Sequence, residues 1–324
     1  MLQTANIADL LDVRFREVFW KQYNKVDTTY QEYMGIINSD RNYEMFSGFY
    51  DTTTFPKLAE NETVHVSKMA PDYNMTFTPD QYSDSQTVSK IAIDDDQFRV
   101  VEQKAKQLAR GAKIKLNESC AEILKYGFGI TDSAGESMLA KDGKRHFSTT
   151  HYKNQDETGT TYSNADGSGR ILSEENLEVL KQQLRLMKGP DGKLMYLKPD
   201  TLITSTYNEK TAKILLGSQL RPDTANNDMN VYYGSGMKLI VLPELDETST
   251  YDDYWFVADS DKLKEPGFSA VLVMREMPNF SKNSPIYHDR NRYWEWVMDM
   301  RFARGMYEPR PIVGSKGDGA SYTD

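Results

Sequence analysis

The apolar residues Phe98, Val101, Ala105, Leu108, Ala112, Leu116, Cys120, Ile123 and Leu124 recur in steps of three and four. That spacing draws one stripe down a helix, predicted over Ile93–Gly127. At 1.5 Å per residue such a helix is about 50 Å long, the width of a whole domain. Asp94, Asp95 and Asp96 stand where carboxylates complement the positive end of the helix dipole, and Lys125 and Gly127 stand where a helix terminates. A helix this long, directly after a polar, strand-like stretch with nothing of its own to pack on, points to a building block rather than a compact catalyst.

A chain of 324 residues can bury a substantial core, as one elaborated domain or two. Its mean hydropathy of -0.66 is low for a self-contained enzyme, while 11% aromatic residues, 20 of them Tyr, exclude a disordered chain. A net charge of -9 argues against sequence-independent DNA binding as the chain's main task, which needs a concentrated basic face. Arg99, Lys104, Lys106, Arg110, Lys113 and Lys115 are the best local candidates for weak nucleic-acid contact, although a solvated or inter-subunit helix face explains them more simply. The single cysteine, Cys120, lies on the apolar stripe and reads as a small buried hydrophobe. No apolar run reaches the ~18 residues of a membrane span and no secretory leader is visible at Met1–Thr4, so a reducing cytoplasm is expected.

Helical spacing of Ile7, Leu10, Leu11, Phe15, Val18, Phe19, Tyr23, Val26 and Tyr30 predicts an amphipathic arm over Asn6–Met34 whose apolar face must find a partner. Strands are predicted at Thr63–Met69 and Thr87–Ile93, around a polar tip marked by Pro71, Asp72, Pro79 and Asp80. An isolated ribbon of this kind is marginal in water and should lean on another chain. Gly127–Gly169 reads as loops. Ser173 caps a helix running to Lys188, Leu194–Thr204 and Lys238–Pro243 are buried strands with a helix over Asn208–Leu216 between them, and Tyr254–Ala258 and Phe268–Met274 are further strands. Residues 171–285 are therefore expected to form one α/β unit. Arg292–Ala303 alternates cleanly, with Trp294, Trp296, Met298, Met300 and Phe302 on one face, and is expected to pack the stripe of the long helix. The tail Gly314–Asp324 is compositionally loose.

No catalytic, cofactor-binding or metal-binding set is assigned. His65 and His288 have no partner visible in sequence, and His146 and His151 lack the spacing of a helical zinc pair. Gly167-Ser168-Gly169 is not a nucleophile elbow, and Gly234-Ser235-Gly236 reads as a turn. Asn164, Asp166, Ser168, Gly169, Ile171 and Glu175 do occupy the positions of a calcium loop. Uncharged Asn at the first position and the non-helical approach favour an ordinary Gly-rich loop feeding a capped helix, with calcium the alternative.

The order of parts, together with Ser39-Asp40-Arg41-Asn42-Tyr43-Glu44, Ile91–Asp96, Ile123–Phe128 and Asp142-Gly143-Lys144-Arg145-His146-Phe147-Ser148-Thr149-Thr150-His151, resembles the major capsid proteins of tailed bacteriophages. Leu197–Ile203, Ala212–Leu215, Asn226–Asn230, Lys238–Pro243 and Trp255–Asp259 extend the likeness over about residues 6 to 305. It is similar in particular to the Mu-like major head subunit family, with the Hong Kong phage head fold. His146, where that family has an apolar residue, and Tyr152-Lys153-Asn154 after His151 depart from its pattern.

The resemblance implies an α+β capsid fold: arm 1–45, extended loop 46–93, peripheral domain 94–170 with the spine helix, axial domain 171–285, returning strand 286–313 and flexible tail 314–324. It implies a non-catalytic subunit that self-assembles into hexamers and pentamers of an icosahedral head around double-stranded DNA. It further implies assembly in the host cytoplasm, residence in the virion, and scaffold, portal and decoration proteins as partners. A long built-in scaffolding segment is not expected ahead of the arm, leaving a separate scaffold or removal of such a segment open. The rivals are another phage structural protein, such as a decoration or tail component, and a hydrolase-type enzyme using acidic strand ends such as Asp200 and Asp259.

Overall fold

The computed structural model describes residues 4–51, 55–60, 62–95, 98–219, 230, 232–234 and 236–323. It opens with α1 (Thr4–Tyr23), a 3-10 turn at Tyr30–Glu32 and the short strand β1 (Gly35–Asn38). The arm helix thus ends at Tyr23 and not near Met34, with Asn24 N donating to Trp20 O at 3.0 Å before the chain turns toward Tyr30. Of the arm residues named from sequence, the side chains of Ile7, Leu10 and Leu11 lie outside the described residues. The remainder contradict the expectation of an unsatisfied face. Phe15 stacks on Trp296 with ring centroids 4.5 Å apart, Phe19 meets Phe280 edge-on at 4.9 Å, and both are buried.

The strands β2 (Glu44–Asp51), β3 (Met69–Phe77) and β4 (Asp80–Ser89) follow. The antiparallel ribbon is β2 with β3, running from Glu44 opposite Phe77 to Asp51 opposite Met69. The predicted pairing is therefore corrected: Pro71 and Asp72 lie in the paired part, and residues 62–68 carry no secondary structure. Proline signalled a turn in the sequence, yet Pro71 sits in a two-stranded ribbon beside a register shift, where a missing N–H is tolerated.

The predicted spine is divided into α2 (Lys90–Asp94) and α3 (Phe98–Lys125). Asp95 caps the first piece, and Asp96 lies outside the described residues. Aspartate is a poor interior helix former, which is why the run breaks the helix it was read as starting. The 28 residues of α3 still span about 42 Å.

The remaining elements are β5 (His151–Tyr152), β6 (Thr161–Tyr162), α4 (Glu174–Arg185), β7 (Thr201–Thr204), α5 (Glu209–Gly217), β8 (Lys238–Val241), β9 (Trp255–Ala258), α6 (Ser260–Leu263), β10 (Ala270–Phe280), β11 (Ile286–His288), β12 (Tyr293–Met306) and β13 (Ile312–Ser315). The strand read over Leu194–Thr204 shrinks to its last four residues, since Tyr196 turns the chain at φ 53° and Pro199 donates no hydrogen bond.

One sheet runs β1-β10-β12-β11 with β4 on the other edge of β12, and a second runs β13-β9-β7-β8. This divides the unit expected over 171–285. The segment Phe268–Met274 enters β10, parallel to β1 and antiparallel to β12, and does not join β7–β9. In exchange the tail supplies β13, with Gly314 opposite Phe256, and Tyr322 is buried. Glycine in the tail marks close approach here: a Cβ on Gly314 would stand 2.7 Å from the Phe256 ring.

The stripe of α3 packs on β12 as expected. Its first half, with Val101, Ala105, Leu108 and Ala112, shares a core with Phe15, Phe19, Trp296 and Met298. The side chain of Phe98 lies outside the described residues. Its second half, with Leu116, Cys120, Ile123 and Leu124, is buried with Met300 and Phe302 of one sheet and with Ile203, Ile240 and Phe256 of the other. The helix thereby welds the two sheets. At about 25 cal/mol per Å² of apolar surface, each fully buried large side chain in this seam contributes about 1.5–3 kcal/mol.

Candidate assembly surfaces

The groups that sequence offered for chemistry are engaged as structure. The Asn164 side chain accepts from Ser148 N at 3.0 Å and donates to His146 O at 2.8 Å and Pro309 O at 3.1 Å. Asp166 accepts from Ser168 N, Arg170 N and Ser315 Oγ and is paired with the Arg170 guanidinium. Ser173 Oγ caps α4 by accepting from Asn176 N at 3.3 Å. The calcium-like spacing is thus a loop that pins β13 and starts α4. Among the described residues no group of three or more His, Cys, Asp or Glu side chains could hold a metal ion, and no helix is long and apolar enough to cross a membrane.

His151 Nδ1 lies 2.8 Å from Asp142 Oδ2, both buried. Burial pushes the Asp142 carboxyl up, but His151 and backbone N–H donors outweigh it and hold the group below its ordinary value. His146 is fully buried, and that burial lowers its pKa to about 4. His65 is exposed on the distal loop, and His288 Nε2 is 2.7 Å from Glu295. Asp200 accepts from Ser260 N and Oγ, while Asp259 caps α6 by accepting from Asp261 N and Lys262 N. These strand-end aspartates do the work of caps.

Of the basic residues on the long helix, Lys104 donates to Gln86 at 3.3 Å, and Lys113 and Lys115 lie over the rings of Tyr23 and Tyr82 at 4.3 and 5.5 Å. Lys106 and Arg110 are exposed, and the Arg99 side chain lies outside the described residues.

What stands out is the ribbon of β2 and β3. Its distal residues include Phe55, 96% exposed, and Val64 and Val66, 71% and 79% exposed, with Phe49 and Met69 close behind. Large apolar groups held this far from any core mark an interaction surface. The middle of the ribbon is the opposite, a buried charge network that holds it to the body and that sequence reading did not find. Lys141 Nζ is 2.6 Å from Asp72 Oδ2 and 2.8 Å from Glu308 Oε2, and Arg310 grips both Glu308 oxygens at 2.7 and 2.8 Å. Burial alone would raise the Glu308 carboxyl, but Arg310 and Lys141 reverse that and bring it down to about 2. Gln155 N donates to Asp72 Oδ1, and Tyr307 Oη donates to Tyr73 O. An anchored ribbon with exposed apolar groups at its far end is what a limb reaching toward a neighbour requires. The one sequence hint was Asp72 itself, a charged residue among apolar and Pro neighbours, which read as a turn.

Further apolar exposure lies on the second-sheet side, at Leu186, Tyr196 and Tyr207. Of Asn226–Asn230, only Asn230 is described; its amide donates to Leu215 O and Ser218 O, closing the end of α5.

A family profile described as phage capsid protein matches residues 73–314, from within β3 to within β13. No curated protein matches the chain. Among solved structures, the fold is similar to that of a chain from the procapsid of bacteriophage JBD30, 16% identical, covering 97% of this chain and 76% of that one with a TM-score of 0.52. It is also similar to a chain from the capsid of an empty GTA particle, 10% identical, covering 92% and 91% with a TM-score of 0.54. A chain from the capsid of Myoviridae phage XM1 is 12% identical, covering 88% and 90% with a TM-score of 0.51. With a two-sheet body welded by one long helix, a projecting ribbon and a profile over most of its length, this chain belongs to the phage capsid protein family.

Proposed function

We propose that copies of this chain tile into hexamers and pentamers of an icosahedral head enclosing double-stranded DNA. The observation that carries this reading is the exposure of Phe55, Val64 and Val66 at the end of a ribbon that a buried ion pair holds to the body. In a lone subunit those groups stand in water; in a lattice each is covered by a neighbour, at about 25 cal/mol per Å² of apolar surface removed from water. The related folds from phage JBD30 and phage XM1 come from assembled capsids, which supports the same use here.

In this reading the ribbon laps a neighbouring subunit, the long helix is the spine of the peripheral domain, and the β7–β9 sheet with α4 and α5 faces the local symmetry axes. Lys106 and Arg110 offer only weak contact to packaged DNA, consistent with the net charge of -9. Scaffold, portal and decoration proteins are the partners such a shell needs, with assembly in the host cytoplasm and the virion as the final location. Size-exclusion chromatography with electron microscopy of the purified chain tests the proposal. Capsomers or closed shells in the megadalton range are expected. A monodisperse 37.2 kDa particle whose ribbon resists proteolysis would overturn it.

A further inference from the structure

The four charges at the middle of the ribbon are arranged as more than a salt bridge. Lys141 Nζ touches two carboxylates at once, Asp72 Oδ2 at 2.6 Å and Glu308 Oε2 at 2.8 Å, and the side chains of all three are at most 6% exposed. The other oxygen of Asp72, Oδ1, accepts from Gln155 N at 3.2 Å. Both oxygens of Glu308 are gripped by the Arg310 guanidinium, at 2.7 and 2.8 Å. The Tyr307 ring lies 5.2 Å from Lys141 Nζ, and Tyr307 and Arg310 are themselves buried. An amine, a carboxyl group in contact with it, a second carboxylate on the amine and a backbone N–H on the far carboxyl oxygen are the parts of an amide-forming site.

We propose that Lys141 and Asp72 condense within one chain to an isopeptide bond, with Glu308 carrying the proton that the step must move. The bond needs no second copy and stands apart from the assembly reading. Its reactant is the ion pair, held by the newly folded subunit. The Lys141 ammonium first gives one proton to Asp72 Oδ2, leaving a neutral amine beside a carboxylic acid. The amine nitrogen then attacks Asp72 Cγ and the N–C bond forms. Glu308 takes a second proton from that nitrogen, while the negative charge gathering on Oδ1 meets the Gln155 N–H. Collapse breaks the Cγ–Oδ2 bond, the departing hydroxyl takes the proton held by Glu308, and one water leaves. The third ammonium proton stays on the amide nitrogen, so atoms and charge balance with no oxidant or cofactor.

Position and burial both favour this course. A nitrogen in contact with a carboxyl oxygen is one bond length from the carbon it must reach, and reactants held so gain effective molarities of about 10⁵–10⁸ M. Forming the amide also removes two charges from a dry site, while Glu308 and Arg310 remain as a bidentate, neutral pair. Arg310 decides which carboxyl reacts. It holds Glu308 ionised, which makes that group a proton acceptor and a poor electrophile, whereas Asp72 has the amine itself as its ion-pair partner. The proton Glu308 takes comes from the acidic ammonium of the addition intermediate, so a weakly basic carboxylate suffices. The product closes a covalent ring across the 69 positions between the two residues. That ring contains β4, α2 and α3 and fastens the ribbon to the body.

Mass spectrometry of the unsubstituted full-length chain tests this, first on freshly dispersed subunits and then on aged subunits and particles. A species lighter by one water should accumulate with time and yield, after proteolysis, a branched peptide joining the Lys141 and Asp72 segments. The denatured chain should stay single on a gel, since the bond lies within one copy. Full mass throughout, a lost water mapped to a succinimide at Asp142-Gly143 or to any other site, or a Lys141 bond to a second chain would each overturn the proposal. Asp72→Asn, which offers an amide in place of the acid, should lose one ammonia instead of one water. Glu308→Gln should slow bond formation by at least about tenfold, and an unchanged rate would overturn the role given to Glu308. Should either variant not fold, the mass and peptide map of the unsubstituted chain still decide. A chain that forms the bond yet never assembles into large particles refutes the assembly reading alone.

Discussion

Lys141 and Asp72, separated by 69 positions in the chain, meet as a buried ion pair at 2.6 Å. Asp72 belongs to β3, while Lys141 sits in the loops after α3, so the pair ties the middle of the ribbon to the body of the subunit. Its charges are balanced by Glu308 and Arg310, and Arg310 also donates to Lys153 O at 2.5 Å and lies over the Tyr162 ring at 4.1 Å.

Breaking that pair from one side should be costly, because the partner keeps its charge and loses its neutralisation. Lys141→Ala leaves Asp72 and Glu308 facing one another in a dry site, and a loss of about 3–5 kcal/mol is expected. Urea unfolding of dispersed subunits measures it, and limited proteolysis should show the ribbon cut first. A loss under about 1 kcal/mol would mean that the network relaxes freely.

Acid should act on the same network. The folded Glu308 carboxyl, at about 2, lies below its ordinary value of 4.5. A depressed acid adds stability that is complete above the unfolded pKa and disappears as pH falls toward the folded one. About 3 kcal/mol is therefore expected to drain away between about pH 4.5 and 2. Glu308→Gln should be less stable at neutral pH and flatter across that window. Unfolding free energies measured from pH 6 to 2 on both proteins decide it, and parallel curves would contradict the assignment.

The arm helix should detach when its aromatic anchor is removed. Phe15 is stacked on Trp296 within the core shared with α3, so Phe15→Ala is expected to cost about 3–5 kcal/mol. Tryptophan fluorescence and hydrogen exchange of α1 report the change. An arm that stays protected in the variant would show that Phe19 and Tyr23 suffice.

Cys120 should be chemically silent in the native subunit. Burial pushes its thiol far above the ordinary range, and the sulfur sits among Leu116, Ile123 and Leu124. A chromogenic thiol reagent at pH 8 is expected to react only after denaturant is added. Prompt reaction of folded protein would place the spine seam in solvent.

The tail should behave as part of the core. Gly314→Ala drives a methyl group to 2.7 Å from the Phe256 ring and 3.0 Å from that of Phe147, with an expected loss of about 1–3 kcal/mol. Thermal unfolding checks this, and an unchanged midpoint would mean that β13 is dispensable.

Local, periodic signals carried the elements that sequence reading placed correctly. The stripe from Val101 to Leu124, the alternation from Trp296 to Phe302 and the Ser173 cap depend on helix geometry, strand pleat and one hydrogen bond, each confined to a few neighbouring residues. The collinear order of those elements also made the capsid resemblance legible. The candidate surface was half legible: Thr63–Met69 showed its strand period, but nothing in it said that only Met69 would join a strand and that residues 62–68 would carry no secondary structure. The charge network was legible only as the single hint of Asp72, since Asp72, Lys141 and Glu308 share no motif.

Sequence by itself therefore determined the strongly periodic segments, the long helix over Phe98–Lys125 and the strand over Tyr293–Met306, and the capped helix at Ser173. Tertiary structure alone decided the pairing: β3 with β2, β4 with β12, β10 with β1, and the tail with β9. A strand's partner is chosen by burial and hydrogen-bond satisfaction summed over residues distant in the chain, and no short window of sequence contains that sum.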